Sequence, residues 1–108
     1  MSYEFKEADW KEFRKCLPEW QERYMDKLNR EYIRILTGEG NPSDRFWKVK
    51  EKINEDVNSP GVIIHEMSRS LMWMNILRLI SNDVITIKDL SGFSEELLET
   101  VKQYYGKD

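Results

Sequence analysis

The chain has 108 residues, with 17 Lys/Arg against 20 Asp/Glu and a net charge of −3. That length suits one domain, and 40% hydrophobic with 12% aromatic residues is too much packing material for a disordered chain. The acidic balance speaks against a nucleic-acid binder, which draws affinity from a basic face, and the lone Cys16 rules out an intramolecular disulfide.

Five Gly and three Pro leave little for the many turns of an all-β fold. The expected class is therefore all-α, a compact array of four to five helices forming a single domain over residues 1–108. The opening residues show no basic-then-apolar leader. The most apolar stretch, residues 62–80, is interrupted by His65, Glu66, Arg69 and Arg78, so no membrane span is expected and the chain reads as cytoplasmic.

The first element covers about residues 9–37. Trp10, Phe13, Leu17, Trp20, Tyr24, Leu28, Tyr32 and Ile35 recur at steps of three and four, which places them on one helix face. Asp9 is the expected N-cap, with Glu12 completing a capping box. Pro18 is expected to break the run into two helices, because it lacks the backbone donor. Gly38 suits a left-handed C-cap.

The second element opens at Asn41-Pro42-Ser43-Asp44, a cap followed by Pro at a first helical position. Phe46, Val49 or Lys50, Ile53 and Val57 form its apolar stripe, with Trp47 beside it. It stops at Asn58-Ser59-Pro60-Gly61, the clearest turn in the chain.

The third element is expected as a helix over residues 61–82. His65, Glu66, Arg69 and Ser70 share a stripe that continues as Trp73, Ile76, Leu77 and Ile80, so its second half is apolar nearly all round. Such a helix is either the centre of the fold or covered by a second copy of the chain.

In the last element Thr86 and Asp89 mark one cap. Phe93 before Ser94, with Leu98 following, marks a better one, a hydrophobic staple with Glu95, Glu96 and Glu99 favouring the N-terminus. The pair has the outline of a helix-turn-helix, but the second helix would lead into a DNA groove with glutamates, which phosphates repel.

Motifs for chemistry are absent. His65-Glu66 lacks the second histidine of a zinc-protease helix, Arg69 standing there instead, and residues 82–90 lack the ligands of the first half of a calcium loop. Paired carboxylates such as Glu55-Asp56 and Glu95-Glu96 lie in solvated runs, and Arg14 and Lys15 beside Cys16 bring no base to it. No catalytic, metal-binding or cofactor-binding residue is assigned.

Two stretches resemble a known group. One joins Asp9-Trp10-Lys11, Leu17-Pro18-Glu19-Trp20-Gln21 and Tyr24-Met25-Asp26-Lys27-Leu28-Asn29. The other joins Asp83-Val84-Ile85-Thr86 to Asp89-Leu90-Ser91-Gly92-Phe93-Ser94-Glu95-Glu96-Leu97. Together they are similar to uncharacterised helical proteins of about this length from low-GC Gram-positive bacteria, some of which carry the label multidrug transporter. The resemblance covers most of the chain, but its motifs are structural punctuation and bring no functional residues with them. Without a spanning segment, it implies at most an accessory role in transport.

The expected function is that of a non-enzymatic helical interaction or regulatory module, working through an apolar groove or as a homodimer. Its candidate interface or pocket residues are Trp47, Trp73, Ile76, Leu77 and Ile80, with Trp47 and Trp73 expected to be exposed. Trp and Met side chains suit an adaptable partner surface and equally a pocket for a small apolar ligand. The alternative is a nucleic-acid-associated transcriptional regulator using the C-terminal helix pair.

Overall fold

A computed structural model describes residues 5–105. They form four α-helices and no strand: α1 (Glu7–Leu36), α2 (Pro42–Asp56), α3 (Met72–Ser81) and α4 (Glu95–Tyr104). Short 3-10 turns at Arg69–Leu71 and Ile87–Leu90 lead into α3 and towards α4.

α1 is continuous for 30 residues with Pro18 inside it, where two helices were expected. Pro18 lies on the solvent side, so water can take the carbonyl that loses its donor. Phe13 and Leu17 before it and Trp20 after it enter the same core, and that shared burial keeps the helix continuous through it. The N-cap is also displaced from the expected Asp9 to Lys6, whose backbone is extended. Gly38 is not left-handed either; α1 ends at Leu36 with Thr37 as its C-cap, and the positive φ of 111° falls on Gly40.

The N-terminal half of α1 packs with α3, α4 and the turns between them into a head. Its buried cluster runs from Phe13, Leu17 and Trp20 directly to Met72 and onward, with no member from residues 21–71. Trp20 is central, meeting Phe13 edge-on and stacking on Phe93, each with ring centroids 6.2 Å apart. α3 buries six of its ten residues. Of the two readings of the all-round apolar helix, the chain adopts the central one.

The helix expected from Gly61 begins only at Met72. Val62-Ile63-Ile64 is a β-branched run, a poor helix former, and the turn before it is pinned elsewhere. Pro60 and Gly61 are buried against α1, with Gln21 Nε2 donating to the Pro60 carbonyl at 3.0 Å. A Cβ on Gly61 would stand 2.3 Å from the Tyr24 ring, so only glycine permits this approach. Asn75 then ties the irregular segment to α3 by donating to the Glu66 carbonyl at 3.2 Å.

α3 ends in a Schellman arrangement. The Val84 N–H reaches the Leu79 carbonyl at 2.9 Å and the Asp83 N–H reaches the Ile80 carbonyl at 3.0 Å. Asp83 takes the left-handed position with φ 61°, where glycine is usual. The caps expected at Thr86 and Ser94 form. Asp89 accepts the Thr86 N–H at 2.8 Å, and Ser94 Oγ accepts the Leu97 N–H at 3.2 Å.

The distal half of α1 leaves the head and pairs with α2 as an antiparallel arm. A helix of 30 residues is about 45 Å long, longer than a domain of this size is wide. The extents of 52 × 29 × 24 Å and radius of gyration of 16.7 Å accordingly exceed the ~13 Å of a spherical domain of this length.

Candidate interaction surface

The arm is held by polar groups. Lys52 on α2 reaches Glu31 Oε1 at 2.9 Å and Asp56 Oδ2 at 3.0 Å. Tyr32 donates its hydroxyl to Asp56 at 2.7 Å, and the Lys52 ammonium lies 5.7 Å from the Tyr32 ring centroid. Burial, followed by the bond to Asp56, pushes the Tyr32 hydroxyl up to about 12. The bonds to Glu31 and Asp56 raise the Lys52 ammonium above its ordinary value. At the tip, Arg45 donates to the carbonyls of Gly38 and Gly40, and Asp44 accepts the Asn41 N–H at 3.3 Å.

With these contacts occupying the side of α2 that faces α1, its apolar stripe points elsewhere. No α2 residue is buried. Phe46 is 58% exposed and Trp47 60%, their rings perpendicular at 5.1 Å, and Ile53 and Val57 continue the exposed row. Ile33 and Leu36 of α1 are exposed as well, Ile33 to 59%. Leu36, Phe46, Val49 and Ile53 line a shallow open groove between the two helices, edged by Lys50 and Asn54. Isolated exposed apolar residues are ordinary; here Leu36, Phe46 and Ile53 come together at one groove over two paired helices.

The five residues singled out from sequence separate. Trp47 is exposed, as expected, with its ring against Phe46 and outside the lining of the groove. Trp73, Ile76 and Leu77 are core; Trp73 is only 5% exposed, which corrects its expected exposure. Phe5 and Tyr104 flank its ring at 5.4 and 6.4 Å. Ile80 is half-buried against the core. Sequence reasoning missed Ile33, Leu36, Phe46, Ile53 and Val57 as surface residues. The stripe on α2 was visible, but the fact that no third element covers it was not.

The groups considered for chemistry are dispersed. Cys16 donates its thiol to Glu12 at 3.3 Å, and burial together with that bond raises it to about 11, so it stays protonated at neutral pH. Glu95 and Glu96 are exposed on α4, and Asp56 belongs to the clasp of the arm. Asp9 is the one buried carboxylate among the described residues, and both its oxygens are occupied by Ser94. No described group of three or more His, Cys, Asp and Glu could hold a metal ion.

The would-be helix-turn-helix consists of a four-residue 3-10 turn and α4, whose first turn carries Glu95 and Glu96. No described helix is long and apolar enough to cross a membrane. No family model, curated protein or solved structure matches the chain.

Proposed function

We propose that this protein is a non-enzymatic interaction module whose working surface is the apolar face of the α1–α2 arm. The observation that carries the reading is α2 itself, 15 residues long with none buried and with Phe46 and Trp47 outermost. A helix of that length is marginal alone in water, and a protein partner on this face supplies the burial that its own chain withholds. The head, with a closed core and the buried carboxylate of Asp9 fully bonded, acts as the anchor from which the arm projects.

The test is a photo-crosslinking amino acid introduced at Trp47, with a control at the exposed Glu95 on α4, in the cell that makes the protein. A discrete protein adduct at position 47 and none at position 95 is the expected result. An arm that gives no adduct under conditions where the label is incorporated removes the proposal.

A further inference from the structure

An antiparallel helix pair with one open apolar side has the form of half a four-helix bundle. We infer that the occupant of the arm is a second copy of this chain, the two arms closing into an intermolecular four-helix bundle with the heads outside it. This rests on the arm being the interaction surface and adds the identity of the partner.

The size of the face fits. A large aromatic side chain offers about 150–250 Å², and Phe46 and Trp47 show three-fifths of theirs. With Leu36, Ile53 and Val57, each more than one-third exposed, the apolar surface comes to roughly 500 Å² per copy, in line with the apolar share of the ~800 Å² that each partner contributes to a standard stable interface. Lys50 and Asn54 at the groove edge provide the polar rim that such an interface carries.

The charge fits too. Residues 29–57 hold six Lys/Arg and six Asp/Glu, so the arm is neutral and the rest of the chain carries the whole net charge of −3. Two arms meet without net repulsion, whereas association through the heads would bring like-charged surfaces together. The exposed row is also suited to pairing with itself. Phe46, Ile53 and Val57 lie seven and four residues apart on α2, the spacing of a bundle seam, and one two-fold axis gives both copies the same contacts.

The experiment is the solution mass of the full chain by light scattering across a dilution series, with Phe46→Asp/Ile53→Asp and, as a control, Ile63→Asp at an exposed position outside the arm. The natural chain and the control should give twice 13.0 kDa; the arm variant should give 13.0 kDa while keeping the near-ultraviolet dichroism of the buried head aromatics. Should the arm variant fail to fold, the natural chain still decides: its helical signal should fall on dilution as α2 loses its cover. A mass of 13.0 kDa at every concentration, or one beyond two copies, overturns the bundle. In the first case, an adduct of foreign mass at position 47 leaves the interaction reading standing. A two-copy mass that survives in a folded arm variant also overturns the bundle, and the adduct test at position 47 then decides the interaction reading separately.

Discussion

Asp9 accepts the backbone N–H of Ser94 at 2.8 Å and its hydroxyl at 2.6 Å, across 85 residues of chain. The carboxylate lies in the first turn of α1 and at the N-cap of α4, so the positive ends of two helix dipoles converge on it. Ser94 in turn accepts the Leu97 N–H. One buried side chain thereby joins the two ends of the head and orients the cap of its last helix.

Asp9→Ala leaves the Ser94 amide and hydroxyl without an acceptor in a buried site, and should cost about 2–3 kcal/mol. Ser94→Ala removes the cap but keeps the amide bond to Asp9, and should cost about 1–2 kcal/mol. Because the two share one network, the double variant should lose clearly less than the sum. Urea denaturation of all four proteins measures this; strict additivity would mean that Asp9 and Ser94 act separately.

Gly61 lies against the Tyr24 ring, where an added Cβ would meet carbon atoms at 2.3, 2.7 and 2.8 Å. Gly61→Ala must displace either the turn or the ring, at a cost of about 1–3 kcal/mol. Combining it with Tyr24→Ala should recover part of that loss, since the second change empties the space that the first one needs. Melting curves for the cycle decide the matter: a Gly61→Ala protein as stable as the natural chain would show that the turn does not dock on α1.

Much of this fold was legible because its signals are local. The Asn41-Pro42 start of α2, the Ser94 cap and the stripe that commits Phe13, Leu17 and Trp20 to the core depend on residues within a turn or two. The errors arose where distant partners decide. Asp9 has the sequence context of an N-cap, yet Ser94 claims its carboxylate. Pro18 reads as a break, yet the core on both sides of it keeps α1 continuous. The exposed apolar face of the arm was half legible. The stripe of Phe46, Ile53 and Val57 is plain in sequence, but its exposure depends on α1 being long enough to carry α2 clear of the head.

Asp83 holds a left-handed backbone, φ 61°, at the position that ends α3. That conformation costs an L-residue about 1–2 kcal/mol, less for Asp and Asn, whose short polar side chains tolerate it. Asp83→Asn should therefore be neutral, Asp83→Gly neutral to slightly stabilising, and Asp83→Val destabilising by ~2 kcal/mol or more. Thermal melts of the series should rank Val below Asp and Asn, with Gly highest. A valine variant that melts with the natural chain would exclude a strained C-cap.

The contribution of Tyr32 to the clasp of the arm should be constant near neutral pH and be lost in alkali. Tyr32 donates to Asp56, and burial plus that bond lifts its hydroxyl from 10.0 to about 12. A group whose folded value lies above its unfolded one contributes fully below the unfolded value and loses that contribution as pH rises through the folded one. The window is therefore from about 10 to about 12, and Lys52, raised by Glu31 and Asp56, shifts in the same direction. Tyr32→Phe should cost about 1 kcal/mol at neutral pH, and the difference from the natural chain should vanish across that window. The tyrosinate absorbance of the natural chain minus that of Tyr32→Phe isolates the group. A difference titration centred near 10.0, the ordinary tyrosine value, would mean that Tyr32 is neither buried nor bonded to Asp56 in solution.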